Sequence, residues 1–531
     1  MSHWATAPLD RHQVTLFAPT LDDSLASDHP VRLFDEVLRG IDFGQWDSMY
    51  IQVVGQPPIQ PRVMAGGILY GLSLGLRSSR KLEDACFNRL DFIWLMEGRK
   101  PDHATFCKFR TQFGPQLKGL FRTIGRVGIE LGLVTLNQVT LDGTDIRASN
   151  SRYQTGRKAG LEQKLARLDQ QIDQAMKQAQ EQDQAENALW PVGGESAPGK
   201  LPRELKNLQT RQAKLKQAMA KLQQMEKDRA GRKDLSPKGP AAPLTDPDSR
   251  VLPNKTGGHA PNFTAVLAVD AGSGMIMDSQ VLGGNDEAST VLPAMRNIDE
   301  SFGRMPGQLA ADSGFNTGPN LAGLQEQGVE PLMPAKQEFD ENPAPRADPS
   351  QPVAVQQRQG LPINPQLKVI DKAAFLYDPA KDCYFCPMGQ VLSHVEDKPY
   401  QRGQVKGTYR VYQCGSCTGC PLASRCLPKK ATQRRVCRDE YEALREAMSQ
   451  RMKSEKGKEQ YRRRSHAAET PFAVLKARMG LRQFLLRGLE KVEQEWRWAA
   501  TAYNLVKLIA LKAAESLKQA AAGVAPAICV G

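Results

Sequence analysis

Hydrophobic residues in the first part of the chain recur at helical spacing. Apolar positions repeat every three or four residues in 31–41 and 62–76, and shorter stretches of the same kind cover 81–95 and 105–120. The pattern predicts a helical domain over residues 1–130. Such a domain either presents a basic face to DNA or serves for packing and dimerisation, and both readings stay open. The basic residues considered for the first reading are Arg62, Arg77, Arg80, Lys108 and Arg110.

Two longer periodic stretches predict an antiparallel helical hairpin. Apolar residues step by three and four through 161–181 and 201–225, and a turn rich in Gly and Pro separates them. We therefore expect an insertion over residues 161–230 whose arms pack along a seam like that of a coiled coil. An oligomer or DNA contact is the alternative use of these positions. The predicted seam residues are Leu161, Leu165, Leu168, Ile172, Met176, Leu201, Leu205, Leu208, Leu215, Met219, Leu222 and Met225.

Short β-branched and apolar runs predict the strands of a mixed α/β core. The predicted strands are 136–142, 263–270, 275–284, 306–314 and 330–335. The predicted helices among and after them are 287–302, 318–327, 438–478 and 492–517, with a break expected near Gly457 in the third. Without the insertions, three antiparallel strands precede parallel strands that alternate with helices, which is the order of an RNase H-like fold. The catalytic core would comprise 131–160 and 240–365 and be completed by 438–531.

Six of the ten cysteines lie between positions 383 and 426, which points to a metal site. The pairs Cys383/Cys386 and Cys414/Cys417 have the spacing of a zinc ribbon, in which four thiolates hold a structural Zn²⁺. Cys420 and Cys426 complete the cluster. We expect an inserted zinc ribbon-like module over residues 370–437; an iron–sulfur cluster or metal-free thiols are the alternatives.

The charge balance indicates a polyanionic partner. The 531 residues carry a formal net charge of +13 and the pI is about 9.2, which favours nucleic acid first and an anionic membrane second. The chain has no run of about 18 apolar residues and its first residues do not resemble a signal peptide. We therefore expect a cytoplasmic protein with no membrane partner, in which structural disulfides do not form.

Three acidic residues stand where a two-metal phosphodiester site would need them. Asp142 ends the first predicted strand and Asp312 the fourth, and these strands are neighbours in an RNase H-like sheet. Glu469 on the long charged helix would supply a third carboxylate. Carboxylate oxygens suit Mg²⁺, and two such ions can serve the attacking and the leaving oxygen. Asp145 and Asp270 are competitors, although Asp270 enters a tight turn, where capping is its simpler role.

Three stretches that contain these acids resemble the motifs of DDE-type transposases of bacterial insertion sequences. They are VTLDGTDIRASNSR, LAADSGFNTGPNL and YRRRSHAAETPFAVLKARMG. The stretches TDPDSRVLPNKTGG, GGNDEAST, DHPVRLFDEVL, SSRKLEDAC and PDHATFCKFR resemble the group within that family that carries a coiled insertion and a helical N-terminal domain. The likeness covers nearly the whole chain.

The resemblance implies that Asp142, Asp312 and Glu469 bind two Mg²⁺ (or Mn²⁺) ions. They would cleave the ends of the element and direct the released 3′-hydroxyl at target DNA. Tyr461 and Lys476 would contact the DNA backbone, together with Arg464. The gap before Glu469 is one residue longer than in the commonest motif, so Ser465 is the alternative for the family's Arg position. A solvated helix face is the alternative for all three contacts.

The same group often shows Cys-Pro-x-Gly followed by C-x-x-C-P and a further Cys, which makes Cys386, Cys417, Cys420 and Cys426 a second candidate zinc set. The implied partner is double-stranded DNA, both terminal repeats and target, and the protein would be nucleoid-associated when bound. Joining two ends implies a homodimer on DNA. The alternatives are an inactive or domesticated DNA-binding regulator and an RNase H-like nuclease without strand transfer.

Overall fold

The computed structural model describes residues 20–50, 57–151, 153–189, 203–229, 239–253, 257–335, 346–402 and 405–523. The turn predicted between the hairpin arms lies outside this part of the chain. Within it, no helix combines the length and the apolar composition that a membrane crossing needs.

The N-terminal region is helical, as the periodicity predicts. Its helices are α1 (Pro30–Arg39), α2 (Gly44–Asp47), α3 (Pro61–Ser73), α4 (Ser79–Asn88), α5 (Leu90–Leu95), α6 (His103–Gln112) and α7 (Gly114–Glu130). The two stretches predicted as single helices, 81–95 and 105–120, are each divided in two. Arg89 has extended backbone between α4 and α5, and Pro115 begins a new helix after Phe113.

A mixed sheet forms the centre of the molecule. Its strands, with two short ones beside it, are β1 (Gln138–Arg147), β2 (Thr155–Gly156), β3 (Ala242–Pro243), β4 (Arg250–Pro253), β5 (His259–Asp270), β6 (Ile276–Leu282), β7 (Gln308–Ala311) and β8 (Glu330–Leu332). The main path runs β4-β5-β1-β7-β8, and β6 also pairs with β5. β1, β5 and β6 are antiparallel neighbours, whereas β7 and β8 run parallel to β1. This is the strand order that the sequence predicts.

Helices cover both the sheet and the N-terminal region. Those among and after the strands are α8 (Lys158–Leu189), α9 (Arg203–Arg229), α10 (Val291–Phe302), α11 (Gly318–Glu326), α12 (Ala423–Cys426), α13 (Glu442–Lys453), α14 (Glu455–Ala473) and α15 (Leu489–Gly523). α15 packs on α3, α7 and β6. Trp498 of α15 lies edge-on to Trp46, with ring centroids 6.4 Å apart. One continuous hydrophobic core therefore joins the N-terminal helices to the sheet.

The hairpin insertion is formed by α8 and α9. Leu161 packs near the end of α9 with Leu222, and Leu168 packs near its beginning with Leu205, as antiparallel arms require. The prediction is wrong for Met176, which is 44% exposed. The neighbouring Ala175 packs against the seam in its place, because Leu161, Leu168 and Ala175 are spaced by seven residues as such a seam requires, whereas position 176 is one residue out of step.

The cysteine-rich module has its own sheet and its own core. The strands are β9 (Leu376–Asp378), β10 (Cys383–Phe385), β11 (Val391–Arg402), β12 (Val405–Cys414) and β13 (Arg435–Asp439), all antiparallel in the order β13-β12-β11-β10-β9. Val353 and Leu361 are buried in this module's core, although the sequence analysis assigned them to the catalytic core. Arg346 donates to the carbonyl of Cys386 at 2.7 Å. The module therefore includes residues from 346 onward.

The long charged helix is broken at Ser454, three residues before Gly457, as the prediction of a break near Gly457 expects. Ser454 has extended backbone, and its hydroxyl accepts a hydrogen bond from the Gly457 amide at 3.1 Å, which caps α14. α14 then crosses the sheet, where Gln138 of β1 donates to the Gln460 carbonyl at 3.1 Å. After Ala473 the helix continues as one π-helical turn, Val474–Arg478.

Candidate active site

Asp142 and Asp312 lie side by side at matching positions of two parallel strands. The last paired residues of β1 and β7 are Leu141 and Ala311, and each is followed directly by one of the aspartates. Neighbouring strands are about 4.8 Å apart, so the two side chains share one edge of the sheet. The Asp142 carboxylate accepts from the Gly143 amide at 2.9 Å, and the Asp312 carboxylate accepts from the Gly314 amide at 2.7 Å. The sheet thus brings the first two predicted acids together.

α14 places a cation and a phenol against these aspartates. Arg464 Nη2 is 3.3 Å from Asp142 Oδ1, and the two side chains are only 15% and 23% exposed. Arg464 Nη1 also donates to the Tyr461 hydroxyl at 3.4 Å. Burial raises the pKa of Tyr461, Arg464 opposes that shift, and the charges of Asp312 and Asp142 add to it. Tyr461 therefore lies within electrostatic reach of both aspartates.

Lys476 reaches the same strand from the π-helical turn. Its ammonium donates to the Thr144 hydroxyl and, at 3.1 Å, to the Asp145 carbonyl. Residues two apart on a strand point to the same face, so Thr144 shares its face with Asp142. The Lys476 head therefore lies beyond Asp142 along β1. It does not lie on a fully solvated helix face.

The two competing aspartates have structural partners. Asp145 accepts from the Thr264 hydroxyl of β5 at 3.2 Å. Asp270 is fully buried and accepts from the amide and the hydroxyl of Ser273 and from the Leu136 amide. It caps the turn after β5, which is the simpler role that the sequence suggested.

Glu469 does not complete a three-carboxylate cluster with the two aspartates in the described part of the chain. It is exposed on α14, one position after the buried Ala468 and five after Arg464. Within the described ranges, no three His, Cys, Asp or Glu side chains are arranged closely enough to hold a metal ion. The structure therefore joins Asp142 and Asp312 with Arg464 but does not form a ready three-carboxylate site. The side chain of Ser465, the alternative to Arg464, lies outside the described residues.

The sequence analysis gave no role to Glu287, which lies against β1. A Cβ atom built on Gly143 would lie 2.5 Å from the Glu287 carboxyl carbon and 2.6 and 2.7 Å from its two oxygens. The Glu287 carboxylate thus occupies the space beside the residue that follows Asp142. The sequence gives little reason to single out this residue. Glu287 is one of many acidic residues, and it is set apart only by its place in the stretch GGNDEAST.

Five of the six clustered cysteines line one small cavity in the module. The cavity measures about 20 Å³, room for about one water molecule. Its thiols belong to Cys386, Cys414, Cys417, Cys420 and Cys426. Cys383 does not line it and lies instead near the charges of Asp378, Lys381 and Asp382. Burial raises the pKa of Cys414 to about 12 and that of Cys426 to about 11.

Three of the five basic residues considered for a DNA-binding face of the N-terminal helices form ion pairs or hydrogen bonds within the protein. Arg62 pairs with Asp35 at 2.7 Å, and Arg77 pairs with Glu495 at 2.6 Å. Arg110 donates to the Arg77 carbonyl at 2.9 Å. Arg77 also donates to the carbonyls of Gly480 and Gln483. The contacts of Arg77 fasten the N-terminal helices to the segment that follows α14 and to α15.

Two family models match the chain. A model described as Transposase DDE domain covers residues 385–509, and one described as Transposase domain (DUF772) covers residues 19–112. The first match contains Tyr461, Arg464, Glu469 and Lys476, whereas Asp142 and Asp312 lie outside both. No curated protein matches the chain.

Proposed function

We propose that this chain, which two transposase family models match over residues 19–112 and 385–509, is a DDE-type transposase of an insertion sequence that cleaves the ends of its element and transfers them to target DNA in a metal-dependent reaction. The central sheet is assigned to an RNase H-like core. The observation that carries the proposal is the adjacency of Asp142, within β1, and Asp312, directly after the end of the parallel strand β7, with α14 crossing beside them.

The two carboxylates that lie together at this edge, those of Asp142 and Asp312, are donors that suit hard divalent cations. Carboxylate oxygens are the ligands that Mg²⁺ and Mn²⁺ prefer. Arg464 sits 3.3 Å from Asp142, which indicates that the edge is electronegative enough to hold a positive charge. We assign Asp142, Asp312 and Glu469 as the residues that would hold two Mg²⁺ or Mn²⁺ ions. Bound there, such ions would stabilise the attacking and leaving oxygens of phosphodiester cleavage.

The residues of α14 would orient the DNA strand. Tyr461, Arg464 and Lys476 have their polar heads beside Asp142 and along β1, where a backbone phosphate would approach. Cationic and hydroxyl groups at this place would hold the phosphate in register with the carboxylates. The partner is double-stranded DNA, and two copies of the chain would act together because two ends are joined.

A structural zinc is proposed for the cysteine module. Four of the five cavity-lining thiols are those of the second candidate set, Cys386, Cys417, Cys420 and Cys426, and Cys414 is the fifth. Four thiolates around one point are the donors of closed structural zinc sites. A zinc there would fix the loop that holds three of these cysteines onto the sheet of the module.

The test uses the full chain and duplexes containing the DNA that flanks its gene, with and without Mg²⁺ or Mn²⁺. Wild type should nick these duplexes only with metal, and a pre-cleaved end should be joined to target DNA. Asp142→Asn and Asp312→Asn should each lower the cleavage rate by at least about 10³-fold. Asp145→Asn is the matched control, because this aspartate lies on the same strand and bonds Thr264 instead.

Each alternative has its own result. Metal-dependent nicking without joining would identify a nuclease. DNA binding without nicking would identify a regulator or an inactive copy. Cleavage by Asp142→Asn and Asp312→Asn at the wild-type rate would refute the assignment of the site.

A further inference from the structure

A cleft opens at the end of β1, where the chain leaves the central sheet toward the hairpin insertion. Its volume is about 210 Å³, room for a group several times the size of a water molecule. The walls come from three segments: the last residues of β1, the beginning of β5 with two glycines before it, and the residues around Gln483. Among the described residues that line the cleft, none is acidic. An anion could therefore enter it without meeting a carboxylate.

The walls are held by hydrogen bonds on both sides of β1. The Arg147 amide donates to the Arg482 carbonyl at 3.3 Å, and the Phe484 amide donates to the Arg147 carbonyl at 2.8 Å. The Gln483 side chain donates to the Ala148 carbonyl at 3.1 Å. On its other side, β1 pairs with β5 as far as Arg147. The cleft is therefore formed by the fold before any ligand binds.

Two exposed basic residues line this cleft. Within the described part of the chain, the side chains of Arg147 and His259 form neither hydrogen bonds nor ion pairs. Asp145 lies two positions before Arg147 on the same face of β1, but it accepts from a hydroxyl of β5 at 3.2 Å. Arg250 of β4 lies in the same row of the sheet as Arg147, because both pair with Asn262. This end of the sheet is therefore rich in positive charge.

Gly257 and Gly258 form a wall of bare main chain. Their φ angles are +91° and +75°, a conformation that residues with a side chain rarely adopt. A Cβ atom built on either glycine would meet no other atom of the described residues within 4 Å, so the space in front of them is open. A ligand can therefore approach the main chain closely at this wall.

A phosphate group matches these features, because arginine presents a planar fork of donors that suits phosphate oxygens. We infer that the cleft binds a backbone phosphate of the DNA duplex at a distance from the cleaved bond. Arg147 follows Asp142 by five positions, which is about 16 Å along β1 and corresponds to about five base pairs of DNA. The inference rests on the proposed function, since the ligand is the same DNA.

The cleft is a contact separate from the carboxylates. Residues five apart on a strand point to opposite faces, so Arg147 and Asp142 leave β1 on opposite sides. Lys476 lies on the Asp142 side, at Thr144. A duplex held at both places passes around the end of β1, and Arg147 adds affinity without touching the cleaved bond.

The experiment measures DNA binding in the absence of cleavage. Fluorescence anisotropy in EDTA follows a duplex of the gene-flanking DNA as it binds the full chain over a range of salt concentrations, for wild type, Arg147→Ala, Arg147→Lys and Arg304→Ala. Arg147→Ala should reduce the slope of log K against log salt concentration by about 0.9, whereas Arg147→Lys should keep it. Arg304 is the matched control, because it is also exposed but precedes β7, at the opposite end of β1. Its variant should keep the wild-type slope.

A scan of the DNA locates the contacted phosphate. Each phosphate near the cleaved bond is replaced in turn by an uncharged methylphosphonate. One replacement, about five base pairs from that bond, should weaken binding to wild type but should not weaken binding to Arg147→Ala any further, since both changes remove the same interaction. A merely structural role of Arg147 would instead lower the affinity equally for every duplex in the scan, and the unfolding temperature with it.

The outcomes separate the two proposals. An unchanged salt slope of Arg147→Ala, or additive effects at every phosphate, would overturn the role of the cleft, and the proposed function would stand if wild type still cleaves DNA with metal. Calorimetry may show that inorganic phosphate binds wild type but not Arg147→Ala and is not displaced by the duplex. That result would identify a site for small anions and overturn DNA as the ligand. Wild type that neither binds nor cleaves DNA would overturn both proposals.

Discussion

Arg464 and Asp142 form an ion pair between α14 and β1, with Nη2 3.3 Å from Oδ1 and both side chains largely shielded from solvent. The same guanidinium donates to Tyr461, which also lies in the field of Asp312. Arg464 supplies positive charge at the edge of the sheet where the proposed ions would bind. Its contribution to stability should therefore depend on metal.

Replacing Arg464 should destabilise the metal-free protein. Arg464→Gln removes the partner of a half-buried carboxylate, and the free energy of unfolding should fall by about 2 kcal/mol. Mn²⁺ should restore part of this loss, because a bound cation takes over the role of the guanidinium. Urea denaturation in EDTA and in Mn²⁺ measures both effects.

Arg463 offers the matched control for that experiment. It precedes Arg464 on the same helix, is 67% exposed and pairs only loosely with Glu459 at 3.5 Å. Arg463→Gln should change the free energy of unfolding by less than about 0.5 kcal/mol. An equally small effect of Arg464→Gln, in EDTA and in Mn²⁺ alike, would show that the ion pair has no such role.

Lys476 should contribute to DNA binding through its charge. If it contacts a backbone phosphate, Lys476→Ala should reduce the steepness of the salt dependence of DNA affinity by about 0.9 in the slope of log K against log salt concentration. The slope is measured by fluorescence anisotropy between low and moderate salt.

Thr144→Val tests whether Lys476 binds a DNA phosphate or only stabilises the folded protein. This substitution removes the hydroxyl to which the Lys476 ammonium donates and leaves every charge in place. It should lower stability while keeping the wild-type salt slope. If Lys476→Ala and Thr144→Val behave alike, with unchanged slopes, Lys476 serves to position β1 and does not bind phosphate.

The proximity of Asp142 and Asp312 could be predicted because each directly follows an apolar stretch, and strand order fixes which strands are neighbours. The prediction that Asp142 ends its strand is wrong, because residues 143–147 have no apolar run but are held in β1 by their pairing with β5. Glu287 could not be found this way, since its place depends on a steric fit to Gly143 that no periodic pattern records. For Glu469 the sequence motif is recognisable. The position of its carboxylate, however, depends on the rotation of α14 about its axis and on the side-chain conformation of Glu469, which the motif does not determine.

Some boundaries are set by residues close in sequence and others by tertiary contacts, and only the first kind can be predicted from a local pattern. The break at Ser454 has a local cause in a side-chain cap, since its hydroxyl accepts from the Gly457 amide. The burial of Val353 and Leu361 in the cysteine module was not, because a Pro- and Gln-rich stretch gives no periodic signal. Its apolar residues are placed by contacts with strands that lie far along the chain.

The cysteine variants should distinguish the two candidate zinc sets. Cys417 and Cys426 both line the cavity. Cys417→Ser and Cys426→Ser should therefore each lower the zinc content well below the one ion per chain expected of wild type. Cys383→Ser should keep it, because Cys383 lies outside the cavity. Zinc is counted by mass spectrometry of the purified protein. Equal loss in Cys383→Ser and Cys417→Ser would favour the pairs Cys383/Cys386 and Cys414/Cys417 instead, and iron or no metal in wild type would contradict a zinc site.

Asp278 should make the stability of the fold depend on pH. Burial raises the pKa of this β6 carboxyl to about 6, against the hydrogen bonds from Gln280 and Asn297 that favour its charged form. A carboxyl with a raised folded-state pKa binds its proton more tightly when folded, so stability should fall as pH rises from about 4 to about 6 and then level off. The expected loss attributable to this group is about 1–3 kcal/mol.

Asp278→Asn tests that dependence, because an amide cannot titrate and keeps the same shape. The variant should lose much of the decline in the free energy of unfolding between pH 4 and pH 6, and at pH 7 it should be at least as stable as wild type. Asp299→Asn, at an exposed position of α10, should keep the wild-type profile. The comparison is made by urea denaturation at each pH, since other carboxylates add their own pH dependence and only the difference between the variants isolates Asp278. A profile of Asp278→Asn that follows wild type throughout would mean that this carboxyl titrates near its ordinary pKa.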